Sequence, residues 1–279
     1  MHTRISLTYT PPFYYKNTLF FLSLYAIQGI ETVGPNTYER FFDWNGSLGF
    51  LRVTFHPHKP ELTLDIYGEK NTDPIVQHVY RMFDLESPFK EYHAHFLNYS
   101  KFSLLWQRHQ GVRMVKGWNL FETAIQTILG QCVSLKHAKN LTYQLVQLFG
   151  KAVYNPYTQS QGYLFPTPEI LSHADLIPLK TTQARKKTIL EVSNYFSRPF
   201  NNKTINTVKE ELLSLPGMGP WSVESIALRG FGHVDSFPKN DLILKRMLLK
   251  YHLNSETFKP WRSYAAMVLW HESLQNNVL

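Results

Sequence analysis

Leu213-Ser214-Leu215-Pro216-Gly217-Met218-Gly219-Pro220-Trp221 lies between two stretches of helical periodicity. Two glycines around one apolar residue permit a tight backbone turn, and Pro220 suits the first position of the next helix, where a backbone N–H has no intrahelical partner. The amides at such a helix start are free and sit at the positive end of the dipole, so they can hold a phosphate. Because neither glycine carries a side chain, a nucleic-acid strand could approach the backbone closely and be anchored without regard to its sequence. The same residues also suit an ordinary turn between packed helices. Taken alone, the stretch specifies helix, tight turn, helix, and leaves its use open.

On both sides of this turn the helical pattern dominates from Trp118 onward, where strand signals nearly vanish. Phe121, Ala124, Ile125 and Ile128 form an apolar stripe ending at Gly130, and Leu135, Ala138, Leu141, Leu145 and Phe149 form a second ending at Gly150. Thr167-Pro168-Glu169 offers a cap with proline at the first helical position, Leu190 and Val192 continue the pattern, and Val208 to Leu213 make a short helix. Residues 113–279 are therefore expected to form an all-α domain. Residues 1–112 read differently. Asn45-Gly46, between Tyr38–Trp44 and Leu48–Phe55, is a two-residue hairpin signal, and Leu62, Leu64 and Ile66 alternate with polar residues up to Gly68. Ile75, Val79, Met82 and Phe83 recur at helical spacing, as do Phe20, Leu24 and Ile27, so helices should cover one face of the sheet. The expected class is α+β: an amino-terminal antiparallel sheet with helices, packed on a mostly α-helical body containing the hairpin.

Composition narrows the function classes. A chain of 279 residues suits one large or two modest domains, and 43% hydrophobic with 18% charged residues is that of a folded protein. The single cysteine, Cys132, excludes an intramolecular disulfide, a cysteine-built zinc site and a four-cysteine iron–sulfur cluster. The apolar patch Leu19 to Ile30 is broken by Ser23, Gln28 and Gly29, so neither a membrane span nor a signal peptide is expected, and the default compartment is a reducing cytoplasm. Twenty-nine basic against 21 acidic side chains give a formal charge of +8, dispersed over residues such as Lys136, Lys139, Arg185, Lys245 and Arg246. That balance favours a polyanionic partner without proving one. The 12 histidines, including His56 and His58 around Pro57 and the pair His93 and His95, form no ligand pattern and read as surface residues.

A resemblance emerges from several segments in one order. Leu215 to Trp221, then Ala227-Leu228-Arg229-Gly230, then Phe237-Pro238-Lys239-Asn240-Asp241-Leu242, closely resembles the helix-hairpin-helix, loop and catalytic aspartate of the DNA glycosylase superfamily. Within it the chain is most similar to the AlkA-type 3-methyladenine DNA glycosylases II. Ile128-Leu129-Gly130-Gln131 with Val133-Ser134, Phe165-Pro166-Thr167-Pro168, and Lys259-Pro260-Trp261-Arg262-Ser263-Tyr264 match as well. So do Pro11-Pro12, Phe21-Leu22 and Glu31-Thr32-Val33, and the likeness covers nearly the whole chain.

The resemblance implies that Asp241 is the catalytic carboxylate, although an aspartate there would also be a routine helix cap. It implies a base pocket of Trp221, Trp270, Phe21, Leu242 and Ser225, where the alternative for the tryptophans is a plain core role. Ser225 stands where the resembled enzymes carry a tyrosine. It further implies DNA contacts from Leu215, Gly217, Met218, Gly219, Gln131 and Cys132, the last at the position of a bulky apolar wedge. Cys132 as an ordinary buried thiol, with Val133 filling the gap, is the alternative. Main-chain carbonyls of Leu213, Leu215 and Met218 would hold a monovalent cation; no other cofactor is implied. Bifunctional relatives carry a lysine where this chain has Trp221, so no Schiff base is expected. The implied partner is duplex DNA containing alkylated bases, bound by a monomer. Two rivals stand: a non-catalytic hairpin DNA-binding protein, and a glycosylase/lyase for oxidised bases.

Overall fold

The computed structural model describes residues 1–155, 159–199 and 203–275. Its amino-terminal sheet holds β1 (His2–Thr8), β2 (Glu31–Val33), β3 (Thr37–Trp44), β4 (Ser47–Phe55) and β5 (Glu61–Tyr67), in the order β1-β5-β4-β3-β2 with every pairing antiparallel. The Asn45-Gly46 signal is the β3–β4 turn: both residues have positive φ, 50° and 86°, the twist that a two-residue hairpin needs. One sheet face is covered by α1 (Tyr15–Tyr25), α2 (Asp73–Met82), α3 (Phe89–Leu97) and α4 (Ser100–Arg108). Ile75, Val79, Met82 and Phe83 are all buried, as their spacing predicts. For α1 the expected stripe is wrong. Phe20 is 49% exposed and Ile27 lies beyond the helix end, while Thr18, Leu19, Phe21 and Leu22 are buried. This helix borders a cleft as well as the core, so no single 3.6-residue stripe describes it.

The helical body begins with α5 (Leu120–Leu129) and α6 (Leu135–Phe149), continues through α7 (Pro168–Ser172), α8 (Gln183–Phe196) and α9 (Ile205–Ser214), and turns into α10 (Pro220–Ile226). A π-helical turn, Ala227–Phe231, extends α10; α11 (Leu242–Lys250), a short 3₁₀ turn and α12 (Arg262–Gln275) follow. Thr167 caps α7 through the Ile170 amide, as its sequence predicts. The expectation of an all-α second half is corrected by β6 (Lys151–Asn155) and β7 (Ser160–Leu164), an antiparallel pair between α6 and α7. Only Val153, Asn155, Gly162 and Leu164 face inward strongly, and Val153 and Leu164 pack on Phe41 and Phe50 of the sheet. So short and half-polar a pair carries little period-2 signal.

Packing divides the molecule differently from the chain order. Residues Leu244 and Met247 of α11 and nearly all of α12 join the amino-terminal core with the sheet and α2–α4. A second core is formed by α5 to α10. A boundary near residue 112 thus divides the sequence, but the last two helices return to the first module. Histidines also depart from the surface reading: His109 and His271 are buried at 1% and 3% exposure. Burial above all pushes the His78 and His271 imidazoles down to about 4, which keeps both neutral at pH 7.

A buried ionic cluster ties the two cores. Arg40 on β3 donates Nη1 and Nη2 to Glu122 of α5, at 3.0 and 2.5 Å, and lies 3.2 Å from Glu31 of β2. Its guanidinium sits over the Trp118 ring at 4.7 Å. Tyr38 donates its hydroxyl to Glu31 at 2.6 Å, and the Ile27 amide does so at 2.8 Å. Burial opposes charge at Arg40 most strongly, yet the facing Glu122 holds the guanidinium above its ordinary pKa. Removing one member would strand buried charge, so Glu122→Leu is expected to cost about 3–5 kcal/mol in urea unfolding. The double variant Arg40→Leu/Glu122→Leu should recover part of that loss. A single-variant effect below about 1 kcal/mol would show that the cluster does not hold the modules together.

Candidate active site and nucleic-acid interface

A cleft of about 560 Å³ opens between α1 and the helices α5, α6, α10, α11 and α12. It gathers all the residues expected in the pocket, Phe21, Trp221, Ser225, Leu242 and Trp270, around Asp241. Sequence separation places them far apart; α12 brings Trp270 back to face α1, and Phe21 and Trp270 lie 6.1 Å apart between ring centroids. Leu242 is 60% exposed at the rim, whereas Phe21 is buried. Tyr25 and Arg229 also line the cleft, and the sequence reading gave neither a role.

Asp241 is the N-cap of α11: its Oδ1 accepts from the Ile243 and Leu244 amides at 3.0 Å each. Capping and pocket roles therefore coincide in one side chain. Trp270 also donates Nε1 to Oδ1, and Trp221 donates Nε1 to Oδ2, each at 3.2 Å. Both tryptophans thus have a polar task in addition to any core role. Four donors from three elements fix the carboxylate's orientation, with the helix dipole favouring its charge. Asp235, six residues earlier in sequence, is instead engaged by Arg262 at 2.7 and 2.9 Å.

The hairpin follows its predicted form. Gly217 has φ +80°, and a Cβ there would stand 2.0 Å from Thr188 Oγ1, so only glycine fits against α8. Gly219 is the N-cap of α10, and a Cβ on it would meet nothing within 4 Å. Among the described residues, neither glycine's N–H finds a protein acceptor, whereas the Met218 amide is spent on Leu215 O at 3.1 Å. Met218 buries its side chain in the second core. The Gln131 amide donates to Gly217 O and Ser222 Oγ, both at 2.9 Å, so it braces the hairpin from α5's end.

Arg185 in turn holds Gln131 O at 2.6 Å, fixing the loop that presents Cys132. Cys132 is exposed, with φ +54°, and is not the buried thiol of the alternative reading. Val133 beside it lines the cleft. Lys136, Lys139 and Arg246 border the opening. A basic rim, exposed turn amides and an aromatic cleft with one oriented carboxylate are what an enzyme acting on an extruded nucleotide requires.

Residues 4–119 match the family described as the AlkA N-terminal domain. Over 95% of its length the chain is 28% identical to DNA-3-methyladenine glycosylase 2 of Escherichia coli K12, 96% of which is covered. A solved 3-methyladenine DNA glycosylase from Archaeoglobus fulgidus has the same fold, with a TM-score of 0.83 at 18% identity over 99% of this chain and 100% of that one. The fold also matches an 8-oxoguanine glycosylase/lyase of Clostridium acetobutylicum bound to double-stranded DNA, with a TM-score of 0.74 at 16% identity, covering 95% and 93%. The fold is thus the one shared by these solved DNA glycosylases. In sequence the amino-terminal part is similar to the AlkA N-terminal domain, and the chain as a whole is similar to the DNA-3-methyladenine glycosylases II.

The exposed position of Cys132 makes its thiol open to reagents in the native state. Titration of folded protein with a thiol-reactive disulfide should label one equivalent rapidly, and saturating duplex should slow the reaction at least tenfold. Labelling only after denaturation would contradict the loop geometry.

Proposed function

We propose that the chain is a monofunctional, monomeric glycosylase that hydrolyses the N-glycosidic bond of alkylated bases, 3-methyladenine, 7-methylguanine and related lesions, in duplex DNA. The observation that carries this reading is the Asp241 carboxylate, held by two indoles in the wall of an aromatic cleft. The target nucleotide swings into the cleft, since the bond is hard to reach within the stack. As the bond breaks, the sugar gains oxocarbenium character, and the oriented carboxylate stabilises that charge and directs water to the sugar. Glycoside hydrolysis ordinarily uses a second carboxyl to protonate the leaving group, but an alkylated purine already carries positive charge and leaves neutral. The indole faces of Trp221 and Trp270 attract such a cation by about 0.5 to 2 kcal/mol. Trp221 offers no amine at the position used by lyases, which supports an intact abasic strand as product. Cys132 fills the place of the extruded nucleotide.

A monovalent cation at the hairpin belongs to the same proposal. The carbonyls of Leu213 and Leu215 sit at the negative end of α9, and Leu215 O, though bonded to Met218 N, keeps a second lone pair; with Met218 O they would hold the ion. Its charge would draw a phosphate toward the turn. The non-catalytic reading accounts for the basic rim but gives no task to the indole-bound carboxylate.

Asp241→Asn replaces one oxygen by an NH₂ group and removes the charge while keeping the size. Single-turnover excision from a 3-methyladenine duplex should fall about 10²- to 10³-fold, with duplex affinity within threefold of wild type. Wild-type product strands should break only after alkali. Undiminished excision by the variant would remove Asp241 from the chemistry. Gly219→Val tests the anchor separately, because its side chain enters open space and not the protein. It should unfold like wild type and weaken binding to damaged and undamaged duplexes alike, by about tenfold. A change in lesion preference alone would place the phosphate contact elsewhere.

A further inference from the structure

Tyr25 ends α1 in the wall of the cleft, where it is the one tyrosine among the described residues. Ring and backbone are both fixed. The Arg229 guanidinium, only 8% exposed, stacks over the ring at 3.5 Å from its centroid, the Phe21 ring lies 5.2 Å away, and Gln126 Nε2 donates to the Tyr25 carbonyl at 3.2 Å. Among the described residues, the Tyr25 hydroxyl nonetheless has no hydrogen-bond partner. The other hydroxyls of the cleft are spent or short. Thr127 and Thr142 donate to carbonyls of their own helices at 2.7 and 2.9 Å, Ser134 caps α6, and Ser225 reaches little beyond its backbone where the resembled enzymes carry a tyrosine. A clamped phenol with a free hydroxyl is a group held ready for a water or a ligand. Asp241 has one oxygen to match it. Its Oδ1 takes three donors, Ile243 N, Leu244 N and Trp270 Nε1, whereas Oδ2 takes only Trp221 Nε1 and keeps a lone pair. Burial above all holds the phenol above its ordinary pKa; Arg229 opposes this and the Asp241 charge adds to it. The hydroxyl thus stays protonated and neutral at pH 7.

We propose that Tyr25 is a positioning residue, its hydroxyl oxygen and Asp241 Oδ2 together holding the water that attacks the sugar. This rests on the glycosylase reading. The water donates one hydrogen to each of the two oxygens, which leaves a lone pair of its own to face C1′. As the bond from C1′ to an alkylated purine breaks, its electron pair goes to the cationic base, which departs neutral. The water oxygen then bonds to C1′. One of its protons stays on the new hydroxyl, and the other passes to Asp241 Oδ2 and from there to solvent. Arg229 takes no part in the proton's path; its stack keeps the ring, and hence the hydroxyl, in one place.

The test is a choice of nucleophile. Water satisfies both acceptors at once, while methanol has a single O–H and leaves one of them unpaired, so the native site should discriminate against methanol. Single-turnover excision of 7-methylguanine from a duplex in aqueous methanol yields either an abasic site or its methyl glycoside, scored before either accumulates. Tyr25→Phe keeps the ring and its stack on Arg229 and removes only the oxygen. Its ratio of methyl glycoside to abasic site should rise about tenfold over wild type, the worth of one hydrogen bond. Because both products come from the same reaction, the ratio does not depend on the fraction of variant that folds. An unchanged ratio in Tyr25→Phe, or a wild-type protein that already uses methanol in proportion to its concentration, overturns the proposal while leaving the glycosylase reading intact. A wild-type protein that releases no 7-methylguanine in water overturns the glycosylase reading itself.

Discussion

One carboxylate organises this molecule's cleft. Asp241 accepts two amides from its own helix and an indole N–H from each of α10 and α12. Three separately packed elements must therefore meet within hydrogen-bond distance of one side chain. Such a group is oriented before substrate arrives, which is what makes electrostatic stabilisation effective. The cost is that α10, α11 and α12 must keep a fixed mutual arrangement, and the rest of the fold provides it.

It does so through two cores that interlock. The hairpin and its preceding helices belong to the second core, whereas α11 and α12 belong to the first, so the strand of contacts from Trp221 to Asp241 to Trp270 crosses between them. Nonpolar packing alone is directionally weak at such a junction. The Arg40, Glu31 and Glu122 cluster adds bidentate geometry at 3.0 and 2.5 Å, fixing β3 against α5. The first core is nearly continuous around α12, whose residues from Ser263 to Ser273 are buried on every side. A helix of that kind cannot shift without disturbing the sheet, and Trp270 inherits its rigidity.

Much of this was legible in the sequence. The hairpin glycines, the Asp241 cap and the β3–β4 turn are local signals, because the residue type and its conformational demand coincide at each position. What escaped is long-range or two-faced. The polar bonds from Trp221 and Trp270 to Asp241 depend on a meeting of distant helices that no spacing encodes. Gln131 and Met218 flank the hairpin, where one spends its amide on Gly217 O and the other buries its side chain. β1 and β2 were missed, as were β6 and β7, since edge and half-polar strands show little alternation. The place of Arg229 has no local signal, because burial of a guanidinium beside Tyr25 is a tertiary fact.

Charge placement shows why these departures matter together. Behind the cleft wall Arg40 is paired with Glu31 and Glu122, and Arg229 lies within the influence of the same two carboxylates. Asp241 enters no ion pair among the described residues, and its negative charge is held only by neutral N–H donors. At the mouth, Lys136, Lys139 and Arg246 are of one sign. The rim is thus basic, while the inner cleft carries the unpaired Asp241 carboxylate. A uniformly basic cleft would bind DNA as well and oppose the reaction; a uniformly acidic one would favour the sugar cation and repel the strand. Under the proposed reaction, placing the two signs apart serves both tasks, and it requires that the Arg40–Glu122 pair stay buried and complete.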